Sequence, residues 1–454
     1  MSFMDETVVG VALPTVRDDL GLSVALSHWV PNAYILAFAS LAAAGGRLGD
    51  LFGARRMFLL GTVGFAVASL LCGLADSGGM LVAARAAQGA AAAAMLPQTM
   101  ALLANAFPPQ RLGKAIGTYV GAASVALAAG PLLGGLVTQS LGWRAIFFLN
   151  LIPASAVLLI ASLAIERRPR TTGRSGAVSA RARFDGWGLV LSVTGLGLLV
   201  TGIMESAGQS LPALWDLALL AAGLLVLAAF VRVEKRRARP LVDVGLLADH
   251  RFLGSAVMVL CAQFSFLAAV IYGAVYVQDS LGLKPAMAGL ALLPAMLPTV
   301  ILAPFTGALA VRFGGRWLTV VGAVGAALGF AFMGAAVGAH TYWPFGAALL
   351  LWGVSIPLIY NPAMSVAMDA PPADRRGGAS GLLEMCLQVG GTLGTAVVGA
   401  ILVHVYAGSA PLPGSAFAPG FYLTAGVLTV AALIQAFLLL SGHLKRAGSC
   451  RGAV

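Results

Sequence analysis

Charged side chains inside long apolar runs of this chain include Asp5 and Glu6 near its start, Arg85 in MLVAARAAQGAAAAAML, and Glu384 in GLLEMCLQVGG. A charge in such surroundings is costly unless it is paired or faces a water-filled cavity, so these residues mark candidate paths for protons or charged substrates. A carboxyl drawn towards ionisation by a guanidinium and towards neutrality by burial is able to load and release a proton. Asp5 and Arg85 would make such a pair. The plainer alternatives are an Asp5 bathed in water at a frayed helix start, and an Arg85 that snorkels from about six residues, ~9 Å, inside a helix end. Glu6 points elsewhere on the same helix and reads as a bystander. Glu384 and Gln388 share one helix face with Gly377, Gly381, Gly391 and Thr395, at spacings of 4 and 3. There Glu384 would favour cationic substrates, or else be a protonated packing residue.

Other side chains could wall the cavity that these charges need. Gln88 lies one turn beyond Arg85, Tyr272 and Tyr276 are one turn apart, and Trp352 and Tyr360 share a later run. The aromatics would contact substrate, or would serve as packing and interface anchors. Four cysteines (Cys72, Cys261, Cys386, Cys450) and five histidines are dispersed. No CxxC, HExxH or GxxxxGK[ST] occurs, so no metal site, disulfide framework or direct ATP drive is expected. The clustered His, Asp or Cys of a membrane enzyme and the filter-like loop of a channel are likewise missing.

The elements that must position these residues follow from composition. Hydrophobic residues make up 59% and charged residues 10% of 454 residues, and the mean hydropathy is +0.92. A soluble protein could not cover its surface with so few charges. Runs of about 20 apolar residues recur throughout, each long enough to cross a bilayer as a helix. Fourteen are read, from 1–16 to 419–441, with 145–165 and 286–310 among them. An acidic pair, Asp5 and Glu6, stands where a signal peptide would carry basic residues. Of 28 Lys and Arg, only Arg17, Arg85, Arg144 and Lys284 fall in spans or odd-numbered loops; the other 24 lie in even loops or the tail. The positive-inside rule therefore puts both termini in the cytoplasm. The net charge of +11 is this asymmetry and not a nucleic-acid-binding face. The stretch Arg167 to Arg183 reads as a polar linker that anionic lipid heads would attract.

A repeat divides the chain. In GGRLGDLFGARRMFLLG (45–61) the residues Gly46, Leu48, Phe52, Gly53 and Arg55 match Gly307, Leu309, Phe313, Gly314 and Arg316 of TGALAVRFGGRWLTVVG (306–322). A second echo is PPQRLGKAIG (108–117) against PPADRRGGASG (371–381). The expected fold is an all-α polytopic membrane protein: a six-helix bundle over 1–165, a basic cytoplasmic linker over 166–185, a two-helix insert with a second linker over 186–251, a second six-helix bundle over 252–441, and a cytoplasmic tail over 442–454. Repeats with a site at their interface are the architecture of secondary transporters.

The motifs add a family. GGRLGDLFGARR resembles the cytoplasmic signature of the major facilitator superfamily, Gly-x-Leu-x-Asp-x-x-Gly-x-Arg-Arg, with Gly46, Asp50, Gly53, Arg55 and Arg56 in its places. MDETVVGVALP (4–14) resembles the first-span motif of the superfamily's fourteen-span drug:proton antiporters, whose acid falls on Asp5. RAAQGAAAA (85–93) is similar to their fourth-span motif, and ALAAGPLLGG (126–135) to their fifth-span antiporter motif. LGWRAIFFLNLIP (141–153) also fits. These stretches cover the first 153 residues; the second half rests on the repeat and on hydropathy.

The resemblance implies a proton-coupled exporter of drug- or antibiotic-like small molecules, a monomer of the cell membrane that works by alternating access with no cofactor beyond the proton gradient. A metabolite or siderophore carrier of the same fold is the alternative. Asp5 would exchange protons. Asp50 would be a conformational latch, bonded to a neighbouring arginine and to the start of the thirteenth span, with a solvated turn as the plainer reading. Gly130-Pro131, with Gly134 and Gly135, would bend the fifth span into a seal, or merely kink it. Three departures stand out. Gly10 replaces an Asn of the first-span motif, Val311 replaces the acid in the second copy of the signature, and a 16-residue first span reaches only ~24 Å of a ~30 Å core. The short span suggests a native start upstream of Met1, which mass spectrometry of the endogenous N-terminus would test.

Overall fold

A computed structural model of the chain describes residues 1–164, 186–208, 213–237, 244–370, 376–406 and 412–451. The expected linker at 166–185 lies outside the described residues, as do the Asp50 side chain, residues 371–375 and the side chains of 376–378. The described chain is helical throughout, with no strand. In a bilayer each apolar segment must satisfy its own backbone groups, and a helix does so without a partner.

The first group comprises α1 (Ser2–Leu20), α2 (Val24–Phe52), α3 (Ala54–Gly73), α4 (Gly78–Ala106), α5 (Pro109–Leu141), α6 (Arg144–Leu149) and α7 (Leu151–Ala164). A hairpin of α8 (Gly186–Gly208) and α9 (Ala213–Arg236) follows. The last group is α10 (His250–Asp279), α11 (Pro285–Ala291), α12 (Leu293–Phe313), α13 (Gly315–Ala336), α14 (Tyr342–Asp369), α15 (Arg376–Val405) and α16 (Ala418–Arg451). Among the described residues, 12 helices are long and apolar enough to cross a membrane. This is a multi-pass membrane protein.

Four expected spans change. α1 continues to Leu20, 19 residues or ~28 Å, its added turn carrying Arg17, Asp18 and Asp19. It falls outside the twelve because Arg17, Asp18 and Asp19 load its far end with charge. The spans at 145–165 and 286–310 are each broken, at Asn150 between α6 and α7 and at Leu292 between α11 and α12. Pro153 and Pro294 explain this: a proline lacks an N–H and its ring crowds the carbonyl four residues earlier, here those of Leu149 and Leu290. Finally, α16 runs on to Arg451, through most of the stretch expected as a tail.

The repeated turn is one structure used twice. Gly53 joins α2 to α3 with φ of 94°, and Gly314 joins α12 to α13 with φ of 83°. A single residue must reverse the chain there in a conformation that a Cβ disfavours, which is why glycine occupies both corners.

The two groups meet along three lines. α1 packs along α10, α2 along α15, and α5 against α11 and α12. α8 lies across α2 and α15, where Val200 and Met204 pack with Ala396 and Trp29. The polar contacts between the groups gather in the half of the molecule away from Gly53 and Gly314. They include Gln278 Nε2 to the Val11 carbonyl at 2.9 Å, the Ala286 N–H to Gln139 Oε1 at 3.2 Å, and Thr395 to Asn32.

Candidate functional site

Asp5 stands in the first turn of α1, only 3% exposed, and its carboxylate meets donors from three directions. Arg85 of α4 pairs with it. Asn150 Nδ2 donates to Oδ1 at 2.7 Å and Gln88 Nε2 at 3.2 Å. The supports are themselves fixed. Arg85 Nη1 donates to Gln88 Oε1 at 2.5 Å, Arg85 Nε to the Val30 carbonyl at 3.2 Å, and Gln88 Nε2 to Ser69 Oγ at 2.7 Å. The Arg85 guanidinium lies 4.4 Å from the Tyr34 ring centroid, an attraction that helps hold a cation away from water. Arg85 is 1% exposed, so it does not snorkel. Gln88, expected at a substrate cavity, belongs to this network instead, because its spacing of three from Arg85 turns both to Asp5.

Asn150 is the partner that sequence reasoning missed. It sits in the gap between α6 and α7, where the helix break turns its amide to Asp5. The proline three residues later was the available signal.

Glu6 shares α1 with Asp5 but not its partners. It is 3% exposed, and its Oε1 has no hydrogen-bond partner. Glu384 of α15 accepts from Gln388 Nε2 at 3.1 Å, and it is within electrostatic range of Glu6 and of Tyr360. Tyr272 lies at the seam between the groups: its hydroxyl donates to the Thr395 carbonyl at 2.5 Å and is 3.0 Å from His28 Nδ1.

Two expected cavity aromatics prove to be core. Trp352 is fully buried, donates to Ser265 Oγ at 3.3 Å and packs on Phe266 and Phe330. Tyr276 is fully buried against Phe345 and Phe417, ring centroids 4.6 and 5.5 Å away. Both rings pack into the aromatic cluster of the second bundle, where such ring pairs add to the stability that their buried area gives. Trp352→Ala should therefore cost ~3–5 kcal/mol of stability, as large-to-small core changes do, read as a lower melting temperature in detergent with the substrate profile unchanged. A changed profile at unchanged melting would return Trp352 to the cavity.

The glycines of ALAAGPLLGG mark where α1, α5 and α11 converge. A Cβ on Gly130 would come within 1.9 Å of Thr7 Oγ1, and one on Gly135 within 2.2 Å of the Pro285 carbonyl. Thr7 Oγ1 itself donates to the Leu127 carbonyl at 3.1 Å. α5 stays continuous through Pro131. The same end carries two ion pairs between helices. Arg17 grips Asp279 with both terminal nitrogens, at 2.8 and 3.0 Å, tying α1 to α10. Asp19 accepts from Trp143 Nε1 at 2.9 Å and Arg144 Nη1 at 2.6 Å, and these bonds hold its carboxyl below the usual range.

Comparison with known proteins gives the chain's relatives and its fold. The chain is 34% identical over 407 residues to the tetracenomycin C resistance and export protein of Streptomyces glaucescens, covering 88% of this chain and 73% of that protein. It is 35% identical over 405 residues to the puromycin resistance protein of Streptomyces alboniger, with 88% and 78% covered. With the methylenomycin A resistance protein of Bacillus subtilis it shares 29% over 453 residues, 99% of this chain and 94% of the other. Among solved structures it resembles a partially occluded inward-open xylose transporter of E. coli, with a TM-score of 0.64, 14% identity, and 95% of this chain and 93% of that one covered. A bacterial homologue of the human lysosomal transporter Spinster gives 0.66 at 17% identity, over 96% and 93%. The family model for the Major Facilitator Superfamily matches residues 1–395 and 252–449. A paired helix–glycine–helix corner, two helical groups meeting along three seams and a match over nearly the whole length lead to one assignment: the chain belongs to the major facilitator superfamily.

Proposed function

We propose that this chain is a fourteen-span exporter that exchanges protons for drug- or antibiotic-like small molecules, with Asp5 carrying the proton. The observation that carries the reading is the Asp5 carboxylate, buried, met only by donors and balanced against Arg85. Ionised, it binds α1 to α4 and to the α6–α7 break. Protonated, it gives up its charge-assisted bonds, which are roughly twice as strong as neutral ones, and α1 is released from α4. Because α1 also packs along α10, loading one proton reaches the seam between the bundles through a single helix.

The relatives named for antibiotic resistance and export support the direction of transport and the substrate class. Adding α1 and the α6–α7 segment, each ~28–31 Å long, to the twelve long helices gives fourteen spans, with bundles over 1–165 and 252–441 and α8–α9 as the insert. Basic loops at the Gly53 and Gly314 end put that end and both termini in the cytoplasm. The seam is closed at the opposite end, so this arrangement is the inward-facing one, ready to load substrate. All parts of the path lie in one chain, so a monomer suffices.

A drug-susceptibility panel in a host stripped of its own pumps tests the reading: resistance to at least one compound, abolished by a protonophore, is expected. No resistance and no substrate-dependent proton flux in vesicles would sink it. Asp50 has its own role here, holding the cytoplasmic face closed after loading. Asp50→Ala should slow transport while substrate Kd stays within about twofold, since a latch sets populations and not contacts. Equal loss of binding and transport would make Asp50 a direct contact.

A further inference from the structure

We infer that His28 is a second proton site of this chain, opposed in action to Asp5: a proton bound there from the outer solution holds the outer end of the seam open. The inference rests on the alternating-access part of the exporter reading and is independent of the substrate. It starts from a bond between the bundles. His28 lies near the start of α2, at the end away from Gly53, and is 2% exposed. Its Nδ1 is 3.0 Å from the Tyr272 hydroxyl of α10. A Cβ on Gly399 of α15 would come within 2.4 Å of that hydroxyl and 2.9 Å of Nδ1, so a glycine keeps room for the contact.

The hydrogens of this contact can be counted. A phenol has one. The Tyr272 hydrogen lies on the 2.5 Å bond to the Thr395 carbonyl, which has none to give. The His28 bond therefore runs from Nδ1–H to the Tyr272 oxygen, and in a neutral ring that leaves Nε2 a bare acceptor. Nε2 is buried with no hydrogen-bond partner among the described residues. A proton arriving there creates a second N–H and a full charge in the closed seam. The groups around it do not receive either. Asp279 of α10 is given to Arg17 and Asp5 of α1 to Arg85. Glu384 of α15 lies eleven residues before Thr395, ~16 Å back along the helix, and His404 beyond it is exposed. Arg17, the charged group within electrostatic range of His28, is itself a cation.

A buried charge without a partner is among the costliest groups a seam can hold. Opening the outer end breaks the Tyr272 contact and brings the ring to water, where an exposed imidazole takes a proton near pH ~6.5. The open arrangement thus binds this proton better than the closed one, so the open state gains as the outer pH falls. Below that pH the closed-to-open ratio falls by up to about tenfold per unit. Asp5 loads a proton to drive the cycle, whereas His28 must lose one before the outer end can close. An acidic exterior therefore arrests the exporter outward-open.

The test places spin labels at Leu141 of α5 and Met287 of α11, both exposed, in a background with the native cysteines replaced, and reads their separation in lipid nanodiscs. Lowering the pH from about 7.5 to about 5.5 should raise the open-to-closed ratio severalfold, up to about tenfold. His28→Gln, whose amide can still donate to Tyr272 but takes no proton, should lose that dependence and keep the closed distance at the higher pH. Every other titrating group is common to both proteins, so the difference belongs to His28. A second measurement needs no change at His28: with the other four histidines replaced, nitrogen-15 resonances of the closed protein should show a neutral ring with its hydrogen on Nδ1. A hydrogen on Nε2 overturns the inference, as does equal pH dependence in the two proteins. An unaltered protein that stays closed at every pH also overturns it, and leaves the exporter reading to the susceptibility panel.

Discussion

Replacing Asp5 by Asn should reduce proton-driven efflux to the level of empty vesicles while leaving slow downhill exchange of substrate. Every contact to this carboxylate comes from a donor: Arg85, Asn150 Nδ2 and Gln88 Nε2. Asparagine keeps the shape but replaces one carboxylate oxygen by a donor, so Asn150 or Gln88 must turn its amide to keep a bond. It also leaves Arg85, 1% exposed, without its carboxylate. Breaking a buried pair from one side costs ~3–5 kcal/mol because the remaining charge is uncompensated, so a fall in melting temperature is part of the expectation. Transport separates the two effects. A variant that has merely lost stability loses exchange and coupled efflux together, in proportion to folded protein. A variant that has lost the proton site retains counterflow of labelled substrate in proteoliposomes but shows no substrate-dependent alkalinisation in inverted vesicles. Full coupled activity in Asp5→Asn would move the proton to Glu6 or Glu384.

Hydropathy carried most of the architecture, because the requirement that an apolar run satisfy its own backbone acts locally. The pairing of Asp5 with Arg85 was open to inference for a related reason: two charges in one apolar bundle have few other ways to be compensated. Other features were hidden by facts of packing. A transmembrane bundle has two interiors, one between its helices and one around a substrate, and amphipathic spacing does not distinguish them. Trp352 and Tyr276 therefore looked like cavity walls and lie in an aromatic core. Asn150 looked like an ordinary residue near a helix end, since the break that aims it at Asp5 is a consequence of Pro153 one turn later. The corner glycines were plain as a repeat, whereas the shared positive φ that makes them obligatory is a property of the folded corner. Arg17 and Asp279 were least legible. They are 262 residues apart, and both sit near helix ends where charges are normally solvated.

That last pair should have the largest effect on which way the transporter faces. Both side chains are buried, 7% and 5% exposed, and the two-pronged geometry is the strong form of an arginine–carboxylate contact. Asp279 also accepts from the Leu412 N–H at 3.4 Å, so its carboxylate joins α1, α10 and the segment before α16. Opening this end would return both charges to water. In the intact protein the pair thus favours the closed arrangement only by the net of attraction over desolvation. Removing one partner changes the balance much more, because Asp279 stays buried and uncompensated only while the end is closed. Arg17→Gln should therefore shift the closed-to-open ratio by up to ~3–5 kcal/mol, roughly 150- to 5,000-fold. Spin labels at Leu141 of α5 and Met287 of α11, both exposed, would report it across the seam in a background with the native cysteines replaced. A longer, broader distance distribution is expected in Arg17→Gln, and the exchanged pair Arg17→Asp with Asp279→Arg should bring it back towards the unaltered protein. If the single variant leaves the distribution unchanged, the glycine-lined contact of α5 with α11 holds this end closed without help from the charges.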